Sequence, residues 1–225
     1  MNKGTPAVLF DVDGTLVDTN YLHTMAWWRA LRDMGQQVAA SRVHRHIGRG
    51  SDMLMEALVG RSEWPELKEV HRRRLEELKP EIVAFPKAAE LLRTLAARGV
   101  NIVLATSSNE KDVDALVGAI DADDAVAAVT SAGDVEEAKP RPDVFEVALE
   151  KGGCDPETTT VVGDTVWDVE AAARAGLPCI CVLSGGISRA ELEEAGAVAV
   201  YDDVAALLED LDNSPIIRSP GVPER

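Results

Sequence analysis

Short apolar runs alternate with amphipathic stretches along most of this sequence. The runs are rich in β-branched and other apolar residues, and they lie at 7–10, 101–105, 159–162, 179–183 and 197–201. Continuous runs of this length are typical of strands that are buried on both faces of a sheet. Helical spacing of apolar residues occurs between them, at 86–98, 142–151, 166–175, 191–194 and 204–211. The alternation predicts an α/β fold, Rossmann-like, in which a parallel sheet is flanked by helices.

The stretch from residue 20 to residue 85 breaks this alternation. It has no strand-like run, and its pattern predicts helices only, at 21–34, 41–46, 51–58 and 65–78. This stretch carries a net charge of +2, whereas the rest of the chain carries −18. We therefore predict a small helical domain at 20–85, inserted into an α/β core domain formed by 1–19 and 86–212. The segment 213–225 has three prolines and little periodicity, so we predict a disordered tail there.

Charge and composition argue against some classes of binding partner. The chain of 225 residues has a formal charge of −16, and a field of that sign repels nucleic acid backbones and anionic membrane surfaces. No run approaches the roughly 18 apolar residues that a membrane-spanning helix needs, and the N-terminus does not have the pattern of a secretory signal. Three cysteines form no even set of disulfides. We expect a cytoplasmic protein that binds neither nucleic acid nor membranes.

Two carboxylates follow the first predicted strand. Asp11 and Asp13 stand two residues apart, which directs both side chains to the same side of an extended chain. Gly14 comes next and allows a sharp turn. In an open parallel sheet, ligands bind beyond the carboxyl ends of the strands, and paired carboxylates repel each other unless a cation or a shared proton relieves them. Oxygen ligands of this kind favour Mg²⁺.

The other strand ends carry groups that suit a phosphate. Thr106 and Ser107 follow the second run, where hydroxyls and free N–H groups at a helix start can bind an anion. Lys139 precedes a predicted helix and offers a positive charge. Asp164 follows the run at 159–162, and Asp168 lies four residues later, on the same side of a helix start. Asp164 can complete a metal site, with Asp168 in support.

These residues together resemble the motifs of the haloacid dehalogenase superfamily of phosphotransferases. DVDGTLVD at 11–18 is similar to its first motif, Thr106 to its second, Lys139 to its third and GDTVWD at 163–168 to its fourth. The resemblance covers about residues 7–211, and the helical insertion matches the branch of the superfamily that has a helical cap domain. That branch includes phosphoglycolate phosphatases, other phosphatases of small metabolites, and β-phosphoglucomutases.

The resemblance implies a role for each motif residue. Asp11 would be the nucleophile that forms an aspartyl-phosphate, and Asp13 the general acid and base. Mg²⁺ would be held by Asp11, by the backbone carbonyl of Asp13 and by Asp164. Desolvation on cap closure is expected to help Asp13 hold its proton. The phosphoryl oxygens would be bound by Thr106, Ser107 and Lys139. The site would be supported by Gly14, Thr15 and Asp168.

Candidates for substrate recognition come from the cap and from the second motif. His23 lies on the first cap helix, and Arg45 and Arg49 flank Gly48 in a loop where this branch places substrate-reading residues. Asn109 is expected to edge the pocket. Each of these positions also has an ordinary structural interpretation, as a packed or solvated side chain.

The implied function is a Mg²⁺-dependent phosphatase of a small phosphorylated metabolite, of the phosphoglycolate or sugar phosphate type, as a monomer or homodimer. A phosphosugar mutase shares the chemistry but returns the phosphoryl group to the sugar. The Gly163–Asp164 pair argues against it, and the His23 region argues mildly for it. A non-catalytic sensor of a phosphorylated metabolite is the alternative of another class.

Overall fold

The computed structural model describes residues 4–106, 108, 110–134 and 137–218. Its centre is one six-stranded parallel sheet in the order β3-β2-β1-β4-β5-β6. The strands are β1 (Ala7–Phe10), β2 (Asn101–Ala105), β3 (Ala128–Thr130), β4 (Thr159–Gly163), β5 (Cys179–Val182) and β6 (Ala199–Tyr201). The sheet confirms the α/β class that the sequence predicts. The pattern analysis missed β3, because this edge strand has only three residues and no long apolar run.

Helices cover both faces of the sheet. They are α5 (Ala88–Ala97), α6 (Glu110–Ile120), α7 (Asp143–Gly152), α8 (Val166–Arg174), α9 (Arg189–Ala195), α10 (Val204–Glu209) and α11 (Pro215–Arg218). Alternate residues of each strand point to opposite faces. Val8 and Phe10 therefore join one buried cluster, and Ala7 and Leu9 join the other. This burial on both sides explains why the strands read as continuous apolar runs.

Four further helices lie between β1 and β2. They are α1 (Asn20–Asp33), α2 (Ala40–His44), α3 (Ser51–Val59) and α4 (Pro65–Glu76). Their apolar faces form a separate small core around Trp27, Leu31 and Met55. We call α1 to α4 with their connecting loops the cap. No helix in the described part of the chain is long and apolar enough to span a bilayer.

The C-terminal segment corrects one expectation. The sequence predicts a disordered tail at 213–225, yet α11 follows directly after the last core helix, and Ile216 is only 3% exposed against the main cluster. A four-residue helix with two adjacent isoleucines is too short to show amphipathic periodicity. The contact of α11 with the main cluster was therefore not predicted. Residues 219–225, which share that expectation, lie outside the described residues.

The packing of Ile216 leads to a stability prediction. We expect Ile216→Ala to lower the free energy of unfolding by about 2–5 kcal/mol, since truncating a buried side chain removes apolar burial and leaves a cavity. Val198→Ala is the control, because Val198 is 53% exposed and its truncation should cost less than about 0.5 kcal/mol. Urea unfolding of both variants measures the difference. Equal effects would show that α11 does not dock on the core.

Candidate active site

The candidate site lies at the carboxyl edge of the sheet, where the strand order reverses. β1 pairs with β2 on one side and with β4 on the other, and ligands of open parallel sheets bind at such reversal points. Asp11 directly follows β1, and its N–H donates to the Val162 carbonyl at 2.8 Å. Sheet pairing therefore brings the ends of the first, second and fourth motifs together, although they are far apart in sequence.

Three buried carboxylates and one buried lysine form the centre of the site. One side-chain oxygen from each of Asp11, Asp164 and Asp168 lies within 4.8 Å of the others. The Lys139 ammonium donates to Asp11 Oδ1 and lies 2.6 Å from Asp168 Oδ1. Lys139 is only 2% exposed. The sequence predicted that these four residues share a site, and the structure brings all four together.

The protonation of this centre follows from burial and from the imbalance of charge. Burial is the main cause that raises the pKa of Asp11 to about 7. Attraction to Lys139 lowers this pKa, whereas repulsion from Asp168 and Asp13 raises it. Burial and the neighbouring carboxylates Asp168 and Asp11 also raise the pKa of Asp164 well above its ordinary value. Burial acts in the opposite direction on Lys139, but Asp11 and Asp168 outweigh it and raise the pKa of its ammonium. Lys139 is therefore firmly charged.

Asp13 has its own set of hydrogen-bond donors. Its Oδ1 accepts from the Thr19 hydroxyl at 2.6 Å and lies 3.3 Å from His23 Nε2. Its Oδ2 accepts from the hydroxyls of Thr106 at 3.1 Å and Ser108 at 2.9 Å. The side chain of Thr106, predicted to bind phosphate, is thus engaged with Asp13 in this structure.

These donors change the expected protonation of Asp13. From the sequence, burial is expected to help Asp13 hold a proton. Burial does act in that direction, but the hydrogen bonds and the charge of His23 outweigh it and hold the pKa of Asp13 well below its usual range. Burial lowers the pKa of His23, whereas the hydrogen bond and charge of Asp13 raise it above its ordinary value. In the ligand-free chain the proton of this pair is therefore on His23.

Asp164 is held by two polar side chains and two close glycines. The Thr15 hydroxyl donates to Asp164 Oδ1 at 3.0 Å, and Asn20 Nδ2 donates to Oδ2 at 2.6 Å. A Cβ atom on Gly14, which has a φ of +80°, would lie 2.6 Å from Asp164 Oδ2, and one on Gly185 would lie 1.7 Å from it. Both positions therefore need glycine to leave room for the carboxylate.

Asp168 is fixed by the start of α8. Its Oδ2 accepts from the Thr165 N–H at 3.0 Å and from the Thr165 hydroxyl at 2.6 Å, and Thr165 Oγ1 accepts from the Asp168 N–H at 3.3 Å. This reciprocal capping box satisfies free donors of the first turn. It also leaves Asp168 Oδ1 facing Lys139, which agrees with the supporting position predicted for Asp168.

The site opens into a small pocket between the core and the cap. The pocket has a volume of about 100 Å³ and is lined by Asp11, Asp13, Asn20, His23, Trp27, Ile47, Gly48, Ser108 and Lys139. The cap loop packs closely on the third and fourth motifs. A Cβ on Gly48 would lie 2.9 Å from Thr165, and one on Gly50 would lie 2.6 Å from Ala138. The cap therefore stands closed over the site.

The predicted substrate-reading residues divide into two groups. His23 lines the pocket. Arg45 instead pairs with Glu191 on α9, and Arg49 stacks on Trp167 with its guanidinium 4.5 Å from the ring centroid. Neither arginine lines the pocket. Glu191 and Trp167 on the core surface hold them, although the buried Arg49 Nε has no hydrogen-bond partner among the described residues. Ser107 and Asn109, predicted at the pocket edge, lie outside the described residues.

Several residues of the site, among them Thr19, Asn20 and Ile47, were not predicted from the sequence. Thr19 and Asn20 contact Asp13 and Asp164, and Ile47 lines the pocket. A buried polar pair where the chain enters α1 was a possible signal for Thr19 and Asn20. Ile47 gave none, because a single apolar residue beside a glycine is ordinary in any loop.

The carboxylate cluster fits a divalent cation. Asp11, Asp164 and Asp168 would carry three negative charges when ionised, and Lys139 supplies one positive charge against them. The donors are all oxygen atoms, which hard cations such as Mg²⁺ prefer. Burial and mutual repulsion raise the pKa values of Asp11 and Asp164, and a bound cation would relieve this repulsion.

Comparison with known proteins agrees with this geometry. Residues 5–176 match the family model of haloacid dehalogenase-like hydrolases. A phosphoglycolate phosphatase from Rhodospirillum rubrum is 31% identical over 214 residues, which cover 89% of this chain and 88% of that protein.

Solved structures have the same fold. A hydrolase from Pseudomonas syringae superposes with a TM-score of 0.87 at 34% identity and covers 92% of this chain and 98% of its own. CbbY from Rhodobacter sphaeroides, solved in complex with phosphate, has a TM-score of 0.74 at 27% identity, with 90% and 96% covered. These similarities confirm the resemblance and the enzyme class, a phosphatase, expected from the four motifs. The chain belongs to the haloacid dehalogenase-like hydrolase family.

Proposed function

We propose that this enzyme is a Mg²⁺-dependent phosphatase that hydrolyses a small phosphorylated metabolite through an aspartyl-phosphate on Asp11. The observation that carries the proposal is the contact of Lys139 with Asp11, at the floor of a closed pocket that Asp13 also lines. One carboxylate is thus paired with a cation, and a second, separately bonded carboxylate stands two residues away. Phosphoryl transfer needs mostly positioning and charge stabilisation, which such a site supplies.

The first step joins Asp11 to phosphorus. A carboxylate oxygen of Asp11 attacks, the bond from phosphorus to the leaving oxygen breaks, and that oxygen takes a proton. Lys139 holds Asp11 in place and offsets charge that gathers on the phosphoryl oxygens. In the second step water attacks the phosphorus, its proton goes to Asp13, and Asp11 is released as a carboxylate with inorganic phosphate.

Asp13 and His23 act as a pair in the proton transfers. His23 carries the proton of the pair, 3.3 Å from Asp13 Oδ1. Developing negative charge on the leaving oxygen draws this proton through Asp13, so Asp13 serves as the acid although its own pKa is held low by its hydrogen-bond donors. Because the two groups titrate together, their apparent pKa values belong to the pair.

The metal would be held by Asp11, Asp164 and the backbone carbonyl of Asp13, with Asp168 beside them. When bound, Mg²⁺ supplies charge neutralisation for the phosphoryl oxygens. Thr15 and Asn20 keep Asp164 oriented for this role through their hydrogen bonds to its two oxygens, as outer partners of metal ligands do.

Metal binding should depend on pH in a definite direction. Because the folded pKa of Asp11 is raised to about 7, its contribution to stability is present below the unfolded value near 3.8 and is lost as the pH rises through about 7. Mg²⁺ must displace this proton, so we expect the thermal stabilisation by Mg²⁺ to be greater at about pH 8 than at about pH 5.5. Thermal unfolding with Mg²⁺ or with NaCl of equal ionic strength tests this. An equal or smaller shift at the higher pH contradicts a carboxylate metal site.

The function itself is tested by phosphate release. The purified chain is incubated with a panel of phosphomonoesters, including phosphoglycolate and pentose and hexose phosphates, with Mg²⁺ or with EDTA. We expect Mg²⁺-dependent release of inorganic phosphate from at least one compound and none with EDTA. If EDTA left the release of inorganic phosphate unchanged, the proposed dependence on Mg²⁺ would be wrong. Interconversion of sugar phosphates without release of inorganic phosphate would instead indicate a phosphosugar mutase.

A further inference from the structure

The cap contributes an apolar part of the pocket lining. Trp27 on α1 is 4% exposed, and Ile47 in the loop before α3 is 7% exposed. Both line the pocket beside Gly48. His71 on α4 stacks on Trp27 with ring centroids 3.9 Å apart and nearly parallel planes, so the indole is held in place from behind. A leaving group in this pocket meets an indole and a branched alkyl side chain.

The cations that line the pocket already have anionic partners. Lys139 contacts Asp11 and Asp168, and His23 contacts Asp13. Both are needed at the phosphoryl end. Neither is therefore free to neutralise a second anionic group on the substrate.

Arg45 and Arg49 of the cap do not line the pocket. The Arg49 guanidinium lies 4.5 Å from the Trp167 ring centroid and 3.2 Å from His46 Nδ1. Arg45 pairs with Glu191. The internal positions that the structure does not describe hold Ser, Asn, Val and Glu, so they add no basic side chain. Among the described residues that line the pocket, none is a cation without an anionic partner.

The size of the pocket limits the substrate as well. Its volume is about 100 Å³, whereas a cavity of about 150 Å³ holds a benzene molecule. A phosphoryl group takes up much of this space. The part of the pocket beneath the cap therefore holds only a few non-hydrogen atoms of the leaving group, and a longer group would extend through the open side of the pocket.

We infer that the enzyme selects phosphomonoesters with a short, uncharged leaving group, and that Ile47 and Trp27 make this selection. The inference rests on the proposed phosphatase function and narrows its substrate class. A carboxylate or second phosphate on the leaving group would lose its water against Trp27 and Ile47 without gaining a charged partner, which is costly. The expected substrates therefore differ from phosphoglycolate, after which the relative from Rhodospirillum rubrum is named.

A matched pair of substrates tests the inference. Phosphoglycolate and its amide, phosphoglycolamide, have the same shape and differ in the charge of the leaving group. We expect kcat/KM of the wild-type chain with Mg²⁺ to favour the amide by about tenfold or more. Ile47→Lys should shift the ratio toward phosphoglycolate by a similar factor, and Ile47→Met, of similar length but neutral, should not. The ratio within one preparation is independent of the fraction that is folded.

Arg49→Met provides an independent arm. If Arg49 reads the leaving group, the variant loses activity on phosphoglycolate selectively, and this loss would overturn the inference even if Ile47→Lys did not fold. A wild-type ratio at or below one would overturn it too, as would release from longer phosphomonoesters but from neither of the pair. Absence of release from every monoester would instead overturn the proposed function, and the inference with it.

Discussion

Asp11→Asn is expected to reduce phosphate release by a factor of about 10⁴ or more, since removal of a nucleophile costs that much or more in enzymes that form covalent intermediates. The amide cannot accept the phosphoryl group as a carboxylate does. It also retains the size of Asp11, so the variant should fold. Steady-state kinetics with a substrate found in the panel measures the loss.

Asp18→Asn is the matched control for this variant. Asp18 belongs to the same motif but is exposed, and its side chain is not among those that line the pocket. We expect kcat/KM to change less than about twofold. Comparable losses in the two variants would show that the effect comes from the motif as a whole, and Asp11 would lose its assigned role.

Lys139→Met is expected to lower kcat/KM by about 10³-fold and to destabilise the chain. The charge that faces the phosphoryl oxygens is lost, and donors in such positions are worth about 10²–10³ in rate. In addition, Asp11 and Asp168 remain buried without their cation, and breaking a buried pair in this way costs about 3–5 kcal/mol.

The pH dependence of this destabilisation has a definite sign. Lys139 lowers the pKa of Asp11, so its loss raises that pKa further. A carboxyl group whose pKa is raised in the folded state contributes stability at low pH, and this contribution is lost as the pH rises. In the absence of divalent cations, Lys139→Met should therefore be most destabilised at high pH. Urea unfolding at several pH values tests this, with Lys151→Met as the control because Lys151 is partly exposed and pairs with Asp134. A deficit that shrinks as the pH rises contradicts the pairing.

Much of the fold was predictable because its signals are local. Strands buried on both faces must be apolar at every position, so β1, β2, β4 and β5 appear directly in the sequence. The short edge strand β3 and the four-residue helix α11 have too few residues for a period. Their place is decided by packing against distant parts of the chain, such as the contact of Ile216 with the main cluster.

The candidate site was also predictable from the sequence only in part. Asp11, Asp13, Lys139 and Asp164 were found because each stands at a strand or helix end in a recognisable order. The ionisation of Asp13 was not, since it depends on His23, ten residues away on a cap helix. The orientation of Arg49 could not be predicted either, because its partner Trp167 lies on α8, far away in the sequence.

The central claim is that Asp11 carries the phosphoryl group, and acid quenching during turnover tests it most directly. Wild-type chain is mixed with a ³²P-labelled substrate and Mg²⁺, quenched in acid, and digested. The account predicts an acid-stable, base-labile label on the peptide that contains Asp11, and none in Asp11→Asn. Label on a different residue, or an active enzyme that never becomes labelled under conditions where turnover is fast, would contradict it.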